Sequence, residues 1–357
     1  MDINSLFFEL IQVAIGTRIC LSHTPSADEW GELYAMAKKQ SLVGVCFAGV
    51  QRLVAQQQEP PEMLYLTWMG MAAMIQQRNE QMNARTSEAM GYFRLKGFPC
   101  QVLKGQGVAT LYGELASLRQ SGDVDVWVAG GRKKIYGLSK RMFGKLEGLT
   151  YYHIHYPMYD DCEVEAHIWP SCLASPIRNK TLKKFSMMLE PTEGCDDTPS
   201  LAFNRVYILL HCYKHFCSRG LGLRQVLDYY FVLLQGSTPE EKLEANMWIE
   251  KLGMKRFEEA IMWVMSKCFD LPSAKKLCSA SEEFGRFVLS EIMLTGNMGH
   301  GDDRVNTDAY KTPWRRFNQG MRRSFSLLHI APHEVLWSPF YKIWKYLWCK
   351  IQMIRMS

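Results

Sequence analysis

The stretch QVLKGQGVATLYGELASLRQSGDVDVWVAG, residues 101–130, decides how this chain is read. It opens and closes on short apolar runs beside turn residues, CQVLKG at 100–105 and DVDVWVAG at 123–130, and both are strand candidates. Side chains alternate along a strand, so Asp123 and Asp125 project from one face while Val124, Val126 and Val128 pack on the other. Two carboxylates side by side repel unless something positive sits between them. A divalent ion is the economical answer, because Mg²⁺ is usually held by one or two carboxylates plus substrate phosphates. The plainer alternative is a solvated acidic pair at a strand start. Upstream, the strand ends in Lys104 and Gly105 and a helix is predicted to begin at once, which offers free N–H groups to a phosphate, with glycine permitting close backbone approach.

Working outward, YYHIHYPMY at 151–159 and CEVEAHIW at 162–169 are two further strand candidates. The second puts Glu163, Glu165 and His167 on one face, so a third carboxylate is available. Helical stretches at 106–113 and 132–146 intervene. Before residue 99 the chain reads as helix: Ser26 and Glu29 have capping-box spacing, and Pro60 and Pro61 open a long pattern running from Glu62 to Arg94. After Pro199 helix returns, with a second capping box at Thr238 and Glu241. The predicted fold is α+β: a small mixed β-sheet core at 99–198 between an N-terminal helical region, 1–98, and a C-terminal helical region, 199–357.

The chain has 357 residues, 47% hydrophobic and 12% aromatic, which excludes a disordered protein. No run of about eighteen uncharged apolar residues marks a transmembrane segment. Asp2 and Glu9 argue against a signal peptide. Eleven cysteines without a CxxC pair read as thiols in a reducing compartment, so the expected location is cytoplasmic. In HCYKHFC, His211, Cys212, His215 and Cys217 point in at least two directions on a helix, which argues against zinc. His211 and His215 share a face toward the cleft, as packed histidines or as substrate contacts. Arg224 and Asp228, one turn apart, predict an intrahelical ion pair, and Asp160 with Asp161 a turn between strands. From Pro313 to Ser357 eight basic residues stand against Glu334 alone, a local charge of +7 that can attract phosphates or an acidic surface. Within this tail Phe340, Trp344, Leu347, Ile351 and Ile354 form the stripe of an amphipathic helix, which can lie on a membrane but is expected to dock on the protein's own core.

Taken together, LKG (Leu103 to Gly105), Leu111 with Tyr112, Arg119, GDVD (Gly122 to Asp125), Glu165 with His167, His211 with His215, and LRxxLD (Leu223, Arg224, Leu227, Asp228) resemble the bacterial family of uncharacterised nucleotidyltransferases. That family lies within the superfamily typified by DNA polymerase β. The resemblance covers residues 100–235. It implies a mixed sheet bearing three carboxylates, two divalent ions (Mg²⁺ or Mn²⁺), and transfer of a nucleoside monophosphate from an NTP, with ATP the expected one, to an acceptor hydroxyl. On that reading Asp123, Asp125 and Glu165 are the catalytic and metal-holding residues. Glu165 would also serve as general base, with Glu163 its rival. Lys104, Gly105, Gln106, Arg119 and Gly122 would bind the nucleotide. The acceptor is left open as a small molecule, a protein side chain or an RNA end, and no DNA sequence recognition is expected. The chain departs from the superfamily pattern in its turn, Gly105-Gln106-Gly107, and in the seventeen residues between Gly105 and Asp123. Lys104 and Arg119 would then supply the phosphate grip, unless Arg119 is paired to a site carboxylate. An altered turn also admits a second reading, a catalytically inactive nucleotide-binding or partner-binding protein on the same fold.

Overall fold

The computed structural model describes residues 2–144, 150–299 and 325–356. The predicted helix end at Lys145 and Leu146 lies outside the described residues, as do the tail residues Arg315, Arg316, Arg322 and Arg323. Four helices come first: α1 (Ile3–Ile15), α2 (Ala27–Lys39), α3 (Val43–Val54) and α4 (Glu62–Leu95). The middle of the chain runs β1 (Cys100–Val102), α5 (Lys104–Ala109), a 3₁₀ segment (Thr110–Leu118), β2 (Val124–Val128), α6 (Arg132–Phe143), β3 (His153–Tyr156) and β4 (Val164–His167). Then follow α7 (Pro176–Met188), α8 (Leu201–Ser218), α9 (Leu223–Leu234), α10 (Pro239–Leu252), α11 (Lys255–Phe269), α12 (Glu282–Thr295) and α13 (Pro332–Met356). The fold is α+β, as predicted. Both capping boxes form, Ser26 with Glu29 and Thr238 with Glu241, each satisfying two backbone donors that a helix start leaves unpaired. Helix α7 was not anticipated, although Ser175 caps it and Pro176 opens it.

The sheet order is β1-β2-β4-β3, with β2 and β4 parallel and the outer strands antiparallel to their neighbours. Its alternation divides the molecule. Val124, Val126, Val128, Val164, Ala166, Ile154 and Tyr156 turn to one side, where they pack on Met82, Ala89, Met90 and Phe93 of α4 and Ile135 and Leu138 of α6. Trp127 turns to the opposite side, stacks on Phe203 of α8 at 5.2 Å between ring centres, and belongs to the larger core built by helices from both ends of the chain. Helix α4 joins the two. Trp68, Ala72 and Ile75 enter the larger core, while Met82 to Phe93 enter the smaller one. Asn79, at the changeover, donates to the carbonyls of Ser117 and Arg119 at 2.6 and 2.7 Å, which fixes the segment feeding β2.

Docking of α13 through its predicted stripe is found only at Trp344, which packs edge-on against Tyr151 with ring centres 5.0 Å apart. Phe340, Leu347 and Ile351 are exposed, and the side chain of Ile354 lies outside the described residues. All eleven cysteines are thiols. Among the described residues no helix is long and apolar enough to cross a membrane.

Two glycines near the site differ in what they permit. A Cβ on Gly107 would lie 2.5 Å from the Val102 carbonyl oxygen, backbone against backbone, so α5 can approach the end of β1 only without a side chain. A Cβ on Gly122 would meet nothing within 4 Å. Gly107→Ala should therefore lower unfolding free energy by about 1–3 kcal/mol, the usual cost of overpacking. Gly122→Ala should stay within about 0.5 kcal/mol of wild type. Urea unfolding of the two variants checks both values.

Candidate active site

The polar face of the sheet collects its charged residues by register. Asp125 on β2 pairs with Glu165 on β4, and Glu165 pairs with His155 on β3. The next row is Trp127, His167 and His153. Asp123 and Glu163 sit just before their strands, with the Val124 amide donating to the Glu163 carbonyl at 2.9 Å. One oxygen each of Asp123, Asp125 and Glu165 lies within 4.8 Å of the others. The Leu103 amide donates to the Asp125 carbonyl at 2.9 Å, extending the β1–β2 ladder by a residue and delivering Lys104 beside the carboxylates.

Two cations stand against these acids. Lys104 Nζ is 2.9 Å from Asp125 Oδ1 and 4.0 Å from Asp123 Oδ2. His167 Nε2 lies 2.8 Å from Asp125 Oδ1 and 3.1 Å from Glu165 Oε2. Burial alone would strip the proton from either, but Asp125 and Asp123 hold Lys104 well above its ordinary value, and Asp125 and Glu165 hold His167 up at about 9. His153, 2.8 Å from Glu165 Oε2, goes the other way, because burial outweighs that contact and lowers it to about 4. Asp123 is raised by the like charge of Asp125. Glu165 suffers burial too, yet its contact with His153 and its hydrogen bond with His167 lower the carboxyl below the usual range.

The geometry suits a cation. Asp125 Oδ2 is buried without a hydrogen-bond partner, and a buried anionic oxygen left unpaired is costly. Three carboxylates against Lys104 and His167 leave one negative charge uncompensated, so a divalent ion held by Asp123, Asp125 and Glu165 fits the site.

The nucleotide-binding expectations are redistributed. Arg119 is 3% exposed, and its Nε and Nη2 reach Asp228 Oδ1 and Oδ2 at 2.7 and 2.8 Å, with the Tyr112 hydroxyl donating to Oδ1 at 2.6 Å. Its fork is occupied by a carboxylate of α9. Asp228 is thereby taken from Arg224, which donates instead to the Gln120 carbonyl. Gln106 is occupied too, donating to Asn83 at 2.5 Å and accepting from Ser121 at 2.6 Å. Helix α5 has six residues and a kink at Gly105 (φ 36°, ψ −113°), too short and irregular for the dipole expected of it. Of the predicted grip, Lys104, Gly105 and Gly122 border the carboxylates. His211 and His215 lie with ring centres 4.4 Å apart, and burial, aided by Lys104, keeps both neutral, His215 at about 3. Among the described residues no trio of metal-capable ligands includes either of them.

Sequence reasoning missed His153 and His155. Their HxH alternation in YYHIHY is the same signal that flagged DxD and ExE. His155 Nδ1 contacts Glu163, and its Nε2 is 3.9 Å from Glu165 Oε1.

Removing one partner of a buried ion pair typically costs about 3–5 kcal/mol. Arg119→Met should lose stability of that order with nucleotide affinity unchanged, read from urea unfolding and nucleotide titration. Weakened affinity at intact stability would return Arg119 to the phosphates. The histidines give opposite pH slopes. His167, raised from 6.5 to about 9, contributes stability that is complete below pH 6.5 and lost as pH rises through about 9. His153, lowered to about 4, contributes a loss as pH falls from 6.5 through 4. In chelator-treated protein, thermal stability should decline between pH 7 and 9 by on the order of 3 kcal/mol at most, and His167→Gln should abolish that decline.

Comparison with known proteins follows the same residues. No curated protein and no solved structure matches the chain. The family model described as uncharacterised nucleotidyltransferase matches residues 26–270, from the cap of α2 to the end of α11, and so takes in every carboxylate, histidine and lysine of the site. With well over half its length matched, the chain belongs to the uncharacterised nucleotidyltransferase family and is by that membership a nucleotidyltransferase.

Proposed function

We propose that the protein transfers a nucleoside monophosphate from an NTP to an acceptor hydroxyl with the help of divalent metal, Mg²⁺ or Mn²⁺. The observation that carries this reading is the convergence of Asp123, Asp125 and Glu165 within 4.8 Å, with one Asp125 oxygen buried and unbonded. Those three residues would hold the metal, which when bound neutralises developing charge on the phosphates and acidifies the acceptor hydroxyl. His167, bonded to both Asp125 and Glu165, holds the two carboxylates at a fixed separation, an orienting part that neighbours of metal ligands commonly play. Lys104 is the cation at the carboxylates free to exchange an acid for a phosphate, since Arg119 is committed to Asp228. The acceptor's proton would pass to Glu165, with Glu163, in contact with His155 beside it, the rival base.

One observation favours a second reading. With Arg119 withdrawn and α5 short, the phosphate grip is sparse, and a protein so equipped would bind a nucleotide and partner without turnover.

Each NTP, labelled at the α-phosphate and with ATP first, is incubated with protein, Mg²⁺ or Mn²⁺ and a cell extract. The expected outcome is a covalently labelled product with pyrophosphate release, lost in Asp125→Ala. The same variant should lose the metal- and NTP-dependent rise in melting temperature of the wild type, its metal-free form melting lower because buried Lys104 and His167 lose the acid they share. A melting shift without labelled product would select the second reading, and an equal shift in Asp125→Ala would remove the metal role.

A further inference from the structure

Helix α13 carries two apolar stripes, and its neighbours cover one. Trp344 and Trp348 pack edge-on against Tyr151 with ring centres 5.0 and 5.6 Å apart, and the Arg132 guanidinium lies over Trp348 at 4.9 Å. Glu334, at the start of the helix, accepts from the Ala174 amide at 2.9 Å, and the Tyr341 hydroxyl is 3.0 Å from Cys172 Sγ. These contacts fix the helix on the protein. Beside them runs a second stripe, Leu336, Phe340, Ile343, Leu347 and Ile351, at the four- and three-residue spacing of one helix face. Each of its members is 48–64% exposed. Lys342 and Lys350 are exposed and flank it, and Lys350 folds over the exposed Tyr346 ring at 4.7 Å. Glu334 is the one acidic residue of the helix, and it is turned inward. The outward surface of α13 is therefore apolar and cationic, without a carboxylate.

We propose that this surface seats the protein on an anionic phospholipid bilayer, with α13 lying in the plane of the interface. Large apolar side chains along one helix face, with lysines beside them, are what an interfacial helix needs. The apolar stripe enters the headgroup boundary while the lysine stems run along it and keep their charges among anionic headgroups. The helix lies on the bilayer rather than through it, since no described helix is apolar enough to cross. A second copy of the chain is a poorer occupant on charge: two such faces would oppose lysine to lysine with no carboxylate to offset them. This inference is independent of the nucleotidyl transfer reading, since α13 lies outside the matched residues 26–270.

The test uses the full chain, sedimented with vesicles of phosphatidylcholine alone or of phosphatidylcholine mixed with phosphatidylglycerol, at low and high salt. The expected result is roughly ten- to hundredfold stronger partitioning to the anionic vesicles, weakened by salt, as a few lysines near a charged surface would give. Ile343→Glu with Leu347→Glu should cut that partitioning at least roughly tenfold, with an unchanged melting curve because both positions are exposed. Lys342→Glu with Lys350→Glu should erase the preference for anionic lipid, which keeps the test informative should the first variant fold poorly. Equal partitioning to both vesicle types, no partitioning, or partitioning indifferent to both variants would overturn the proposal. So would a dimer in light scattering that Leu347→Glu dissociates while vesicle binding is absent.

Discussion

Three carboxylates gathered on one face of a small sheet are the constraint around which the rest is arranged. At 4.8 Å, two like charges cost about 3 kcal/mol at the effective dielectric of a protein surface, so Asp123, Asp125 and Glu165 cannot share a face without neighbours to offset them. The offset comes from both sides in register. Lys104 arrives from the end of β1 because the Leu103 amide is tied to the Asp125 carbonyl. His167 arrives from β4 because it stands two residues beyond Glu165 on the same face. Each cation owes its charge to the acids it faces, and Asp125, which both of them touch, still has one oxygen to spare. A site of this kind is balanced short of neutrality, a state that admits a further cation.

A second, separate charge pair holds the frame. Arg119, Asp228 and Tyr112 form a buried knot between the segment feeding β2 and helix α9, while Asn79 of α4 binds the carbonyls on either side of Leu118. Buried pairs of this sort add little net stability compared with apolar packing, yet they are costly to break. Here the knot sets where the C-terminal helices lie relative to the sheet. Arg119 sits four residues before Asp123 and still does not serve it, because Asp228 presents two oxygens in the geometry a guanidinium prefers.

What was legible in the sequence follows from which patterns depend on the backbone alone. The period of two in DVDVWV and CEVEAHIW fixes a face wherever the strand lies, and so Asp123 could be set beside Asp125 and Glu165 beside His167, while the meeting of the two pairs follows from the β2–β4 register. Capping boxes at Ser26 and Thr238 are equally local. His153 and His155 show the same alternation, but their relation to Glu165 exists only through the β3–β4 register. The partners of Arg119 and Gln106 were out of reach for a similar reason. Those partners, Asp228 and Asn83, stand 109 and 23 residues away, and spacing says nothing about separations of that kind. Helix α13 marks another limit: a helical wheel finds an apolar stripe, but whether Trp344 or Leu347 turns inward is decided by where Tyr151 stands.

The alternation that builds the site also separates it from the fold. Along β2 and β4 the residues that stabilise the sheet, Val124, Val126, Val164 and Ala166, interleave with those that carry charge, and the two sets face opposite cores. Losing the more exposed Asp123 removes repulsion without opening a cavity among the valines, whereas losing Asp125 leaves Lys104 and His167 without the acid they share. The buried His167 is different: without it, Asp125 and Glu165 would face each other with Lys104 as the one buried counter-charge against Asp125. Lys104 and His167 are therefore as much part of the site as the acids, because each buried charge is placed by the register that also places its partner.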